Sequence, residues 1–170
     1  LKIAAVSIGK STTHAFNSSI NRYCSFDKFF INKNTNRTKI DSIAKQLNQY
    51  NTIILSIYEM NQNPYQNFGL PKVIDQLCMQ LSANKKIILN LFGNPYSLSK
   101  LKSLSILDAV LISYEDQELP NNLSGQLIFG GISAKGKLPI SINSEFKEGF
   151  GLETPKTRFS YTYPESIGVS

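Results

Sequence analysis

The chain has 170 residues, 41% hydrophobic and 18% charged, the balance of one folded domain able to bury ~70% of its unfolded surface without metal or disulfide. Its 18 basic and 12 acidic residues give a formal charge of +6, but the lysines and arginines are scattered rather than gathered on one face among stacking aromatics, so no nucleic-acid partner is indicated. No apolar run approaches the ~18 residues of a membrane span, and Cys24 and Cys78, each in a helical segment and without metal-ligand spacing, read as small buried hydrophobes.

Lys2 to Ile8 is a first strand ended by Gly9, and the chain opens into it directly at Leu1, without initiator Met or leader, as a piece excised from a longer precursor would. Thr13 to Tyr23 carries Phe16, Ile20 and Tyr23 at helical spacing, and Phe26 to Ile31 reads as a short second strand. A polar turn, Asn32 to Asn36, leads to a helix in which Thr38 and Asp41 resemble a capping box and Ile40, Ile43, Ala44 and Leu47 form one stripe. Thr52 to Tyr58 is the third strand, followed by a polar connection from Glu59 to Gly69 that is long for this kind of fold. Pro71 suits the first turn of a helix carrying Val73, Ile74, Leu77, Cys78 and Leu81. Lys85 to Phe92 is nearly unbroken in apolar character, as a central parallel strand covered on both faces is, and it stops at Gly93-Asn94-Pro95.

Ser97 to Leu104 supplies a short helical crossover with Leu98, Leu101 and Leu104, Ala109 to Tyr114 a fifth strand, and Pro120 to Phe129 a helix closed by Gly130-Gly131. Lys137 to Ile142 has Pro139 inside a strand-like run and belongs at a sheet edge. The expected architecture is a three-layer α/β/α sandwich on a mainly parallel sheet of about six strands, with residues 1–143 as the domain and 144–170 as an extended tail leading out of it.

Several chemistries fail on spacing. Gly9-Lys10-Ser11-Thr12 has the tail of a phosphate-binding loop, but the glycine required five residues earlier is Ala4, inside the strand. His14 is the only histidine, and no Gly-x-Ser-x-Gly elbow accompanies it, so it reads as structural or exposed. Ser7 to Thr13 contains no acid to hold magnesium, and no Gly-x-Gly-x-x-Gly follows a strand, so neither metal nor cofactor is expected. Glu59, Glu115 and Asp116 fall at strand carboxyl ends, where carboxylates either meet ligands in open α/β sheets or stand as solvated loop charge.

The order of motifs from Phe92 onward is more specific than any of them alone. Phe-Gly-Asn-Pro-Tyr at 92–96, Ser-Tyr-Glu at 113–115, Gln-Leu-Ile-Phe-Gly at 126–130 and Gly-Lys-Leu-Pro-Ile-Ser at 136–141 together resemble the C-terminal α/β-sandwich domain of glycoside hydrolase family 3. Gly149-Phe150-Gly151-Leu152 and Tyr163-Pro-Glu are similar to the tail of its bacterial β-N-acetylhexosaminidase-like members. The resemblance implies that the nucleophile lies on an N-terminal TIM barrel, which these residues do not encode, leaving no catalytic residue here. In β-glucosidase-type members this domain lends an acid/base Glu shortly after a Pro-Tyr pair, and if Pro64-Tyr65 is that pair the place holds Gln66-Asn67. In hexosaminidase-type members the barrel supplies an Asp-His pair instead. The resemblance therefore implies an accessory domain partnered by its barrel, with Glu59, Asn67, Asn94, Tyr96, Glu115 and Asp116 on the rim of a carbohydrate pocket. It also implies a bacterial parent, periplasmic or secreted. A non-catalytic carbohydrate- or protein-interaction module is the alternative.

Overall fold

A computed structural model describes residues 1–10, 14–162 and 168. Five short apolar runs form one sheet: β1 (Ile3–Ile8), β2 (Asp27–Ile31), β3 (Thr52–Ile57), β4 (Lys86–Leu91) and β5 (Ala109–Ile112). All pair in parallel, in the order β2-β1-β3-β4-β5. The strand from Lys85 thus lies between β3 and β5, and the chain is an α/β protein as its patterning predicts. Parallel strands require crossovers, and four helices supply covering layers: α1 (Ala15–Asn21), α2 (Arg37–Leu47), α3 (Ile74–Ser82) and α4 (Glu118–Ile128).

Strand side chains alternate between two cores, which is why the strands read as continuous apolar runs. Val6, Leu55 and Leu89 point to one core, where Ile40, Leu47, Leu77 and Leu81 of α2 and α3 meet them. Ala5 and Ile54 point to the other, with Phe16 and Ile20 of α1, Tyr58 and Phe92. There Tyr58 and Phe92 stack at 4.7 Å, and Ile128 and Phe129 close the end of α4 over them.

Several local expectations give way to others. The cap of α2 is Asn36, whose Oδ1 accepts from the Lys39 N-H at 3.0 Å, so Thr38 and Asp41 lie within the helix rather than forming a capping box. The crossover predicted over Ser97 to Leu104 is two 3₁₀ turns, Pro95–Lys100 and Leu104–Ile106. In α4, Pro120 is the third helical residue, still among the first four positions whose N-H groups lack a helical acceptor. Cys78 is buried in α3, whereas Cys24 lies beyond the end of α1 and is only half-buried.

The clearest correction concerns the sixth strand. Lys137 to Ile142 joins no sheet: Pro139 offers no N-H, and Leu138 bonds instead to its own downstream chain, donating to the Phe150 carbonyl and accepting from Gly149 N, both at 2.8 Å. Ala134 and Thr154 form an isolated antiparallel bridge nearby. The start expected for α1 at Thr13 and the Tyr163-Pro-Glu motif lie outside the described residues.

Candidate functional site

A wholly parallel sheet delivers all of its carboxyl ends to one edge, and the strand order here reverses between β1 and β3. A crevice at such a reversal is the usual ligand position. In this chain it is filled. Gly9, at φ +97°, runs so close to β3 that a Cβ there would stand 3.0 Å from the Tyr58 carbonyl oxygen and 3.3 Å from Cε of Lys33. Lys33 reaches across to donate its ammonium to the Glu59 carbonyl. The edge is thereby divided into two hollows.

The first lies between α1 and α4 and is lined by Lys10, His14, Ser18, Asp116, Glu118 and Asn121 among others. Lys10 Nζ is 2.9 Å from both carboxylate oxygens of Asp116, and Asn121 donates to the same carboxylate at 2.9 Å. His14, 8% exposed, is the N-cap of α1. Its Nδ1 lies 3.4 Å from the Asn17 backbone nitrogen and 3.2 Å from the Tyr58 hydroxyl, and its Nε2 lies 2.9 Å from Ser7 Oγ. Because a backbone N-H can only donate, Nδ1 is the acceptor, and the ring proton sits on Nε2 and points at Ser7. The serine oxygen accepts from this histidine and cannot lose a proton to it. Burial, reinforced by Lys10, lowers the imidazole pKa from 6.5 to about 4. The Ser7-His14-Tyr58 cluster is therefore a neutral brace tying α1 to β1 and β3, unlike an activated nucleophile.

The second hollow, on the other side of the Lys33 bridge, is lined by Lys33, Asn34, Thr35, Asn61, Gln66, Gly69, Leu70, Pro71 and Lys72. Its wall is the unusual segment Pro64–Gly69, where Asn67 and Phe68 take φ of 50° and 56° ahead of Gly69 at 79°. Left-handed backbone at a bulky residue such as Phe68 is strained, and the burial of its ring holds it there.

The six rim residues expected from the sequence all stand at the carboxyl edge but line no common cavity. Asp116 alone among them lines either hollow. Glu59 is exposed at φ 54°, and Asn67 is exposed inside the kinked segment. Asn94 caps its 3₁₀ turn through Tyr96 N at 3.0 Å and donates to Gln62 at 2.7 Å, joining the loops after β3 and β4. Tyr96 and Glu115 are both exposed, the latter's N-H turned back to the Ser113 carbonyl. Sequence reasoning missed Lys33, one lysine among many with no spacing that ties it to Lys72, and it discounted His14 for standing alone. Among the described residues no three His, Cys, Asp or Glu side chains are grouped to hold a metal, and no helix is long and apolar enough to cross a membrane.

No protein-family model matches the sequence, and no curated protein does. Among solved structures, the fold is similar to that of a glycoside hydrolase family 3 β-N-acetylglucosaminidase from Paenibacillus sp. str. FPU-7, with a TM-score of 0.62 at 14% identity. The match covers 83% of this chain and 27% of that one, so this chain spans about a quarter of the length of that enzyme. At this identity the likeness is one of fold.

Proposed function

We propose that the chain is the accessory α/β domain of a family 3 glycoside hydrolase, cleaving O-glycosyl bonds of β-N-acetylglucosaminides or β-glucosides only together with a barrel that carries the nucleophile. The observation that supports this most is the match itself, extensive on this chain and partial on a larger glycosidase. In this reading the domain buttresses the barrel, and Glu59, Asn67, Asn94, Tyr96, Glu115 and Asp116 border its sugar pocket. Glycoside hydrolysis by the usual route needs two carboxyl groups ~5 Å apart for retention or ~6.5 to 9.5 Å apart for inversion, one of them able to donate and recover a proton. Asp116 is tied to Lys10 and Asn121, and Gln66 and Asn67 are amides without that capacity.

The alternative of a free-standing carbohydrate module draws on Tyr65 and Tyr96, which expose their rings on the two loops joined through Asn94. The test is to assay the chain on aryl β-glucosides and aryl β-N-acetylglucosaminides beside a longer protein carrying the barrel. Activity confined to the longer protein is expected. Turnover by the 170 residues alone that Glu59→Gln or Glu115→Gln abolishes would refute the accessory role, and saturable binding of neutral sugar by the chain alone would favour the module.

A further inference from the structure

The second hollow is lined by two lysines and no acid. Lys33 spends one ammonium proton on the Glu59 carbonyl, and among the described residues it makes no ion pair. Lys72 and the side chains of Asn34 and Thr35 have no hydrogen-bond partner among the described residues. Gln66 accepts from Asn61 through Oε1, which leaves its amide protons free. No carboxylate lines the hollow. Burial of the Lys33 ammonium lowers its pKa, opposed only through space by the exposed Glu59. A partly desolvated cation without a counter-ion costs free energy until an anion joins it. The floor is backbone: Gly69 takes φ +79°, and a Cβ there would crowd Lys33 Nζ and Asn61 Nδ2, each at 3.2 Å. Leu70 and Pro71 give the hollow an apolar wall beside its two charges.

We propose that this hollow is a binding site for the anionic group, carboxylate or phosphoryl, of a small hydroxyl-bearing ligand such as an acidic sugar. Lys33 and Lys72 neutralise the charge from two sides, Thr35 and the amides of Asn34 and Gln66 donate to its oxygens and hydroxyls, and Leu70 and Pro71 cover the ligand's body. The site stands on its own chemistry and does not depend on the accessory role proposed above.

Amide chemical shifts of the labelled chain, titrated at constant ionic strength with glucuronate, glucose 6-phosphate and glucose, test it. Either anion should move the amides of Lys33, Thr35, Asn61, Gln66 and Lys72, and the one that does so names the source as carboxylate or phosphoryl. Glucose should not move them. Lys72→Gln should weaken binding by about tenfold, the loss of one charge-assisted contact. Lys33→Gln should do the same, but it also removes the bond to the Glu59 carbonyl, so Lys72→Gln carries the test if that variant fails to fold. Lys85→Gln makes the same charge change at the opposite edge of the sheet, where Lys85 bonds the Asn48 carbonyl, and should leave affinity intact. Absence of localised shifts with both anions, equal shifts with glucose, or equal weakening by Lys85→Gln would overturn the site.

Discussion

At the scale of residues, His14 turns a local hydrogen-bond pattern into a dependence on pH. Burial above all, with Lys10 and Lys28 opposing its charge and Asp116 favouring it, holds the native imidazole neutral down to about pH 4, against an ordinary value of 6.5. Above pH ~6.5 neither state carries the proton and His14 adds no slope. Between ~6.5 and about 4 the unfolded chain binds a proton that the native chain refuses, so stability falls as the solution is acidified through that window. We expect the loss to reach about 2 to 3 kcal/mol by its lower end. Urea unfolding at a series of pH values measures it. His14→Asn should retain the N-cap, since Asn caps well, and flatten this part of the profile; an unchanged slope in the variant would exclude His14 as its origin. None of this was legible beforehand, because a lone histidine has no sequence partner. Its partners, Ser7 and Tyr58, sit at the ends of two strands and meet it only through the sheet.

At the scale of elements, the strands were legible and the short helical pieces were not. A strand buried on both faces is apolar over most of its length, and β1, β3 and β4 are, interrupted only by Ser7, Thr52, Ser56, Lys86 and Asn90. Lys137 to Ile142 carries the same look, yet Pro139 and the competing bonds of Leu138 keep it out of the sheet. The packing of α1 on α4 was also invisible, since it depends on Gly125 of α4 lying against Ser19 of α1. There local propensity and packing disagree. Replacing a mid-helix glycine by alanine is worth up to ~1 kcal/mol in an open helix, but a Cβ here would stand 2.6 Å from Ser19 Oγ and 2.7 Å from its Cβ. Ser19 is fully buried and its hydroxyl is committed to the Asn122 carbonyl at 2.7 Å, so it has little room to give way. Packing should win: Gly125→Ala is expected to destabilise by about 1 to 2 kcal/mol in denaturant titration, within the usual range of overpacking costs, and a stabilised variant would show that the helices separate freely.

At the scale of the whole molecule, the alternation of strands and helices made the three layers predictable, whereas the course of the chain after α4 was not, because it lacks any period to read. We propose that residues 144–162 are a strap that completes the fold. Phe146 packs on the α2/α3 core, and further on the chain crosses behind α1 and α4. Thr157 and Arg158 both donate to the Gly130 carbonyl, at 2.8 and 2.9 Å. Gln126, 2% exposed, clasps Tyr161 with both ends of its amide, donating to the carbonyl at 2.8 Å and accepting from the N-H at 2.7 Å. Tyr23 donates to the Phe159 carbonyl at 2.9 Å while its ring stacks on Phe129 and meets the edge of Tyr161. Ending the chain after Asn143 would strip all of this away. The losses include these five hydrogen bonds, each worth ~1 kcal/mol net, the pairing of Leu138 with Phe150 and Gly149, the Ala134–Thr154 bridge, and the cover over Tyr23 and Gln126. The freed segment regains entropy, which offsets part of the cost. A net destabilisation of about 2 to 4 kcal/mol follows, read as a lower urea midpoint for chain 1–143 than for the full chain. Gln126→Ala in the full chain should reproduce a fraction of that shift, because it releases one anchor and leaves the others. If chain 1–143 instead unfolded at the full-length midpoint, the segment would be a passive appendage, free to serve a neighbouring domain.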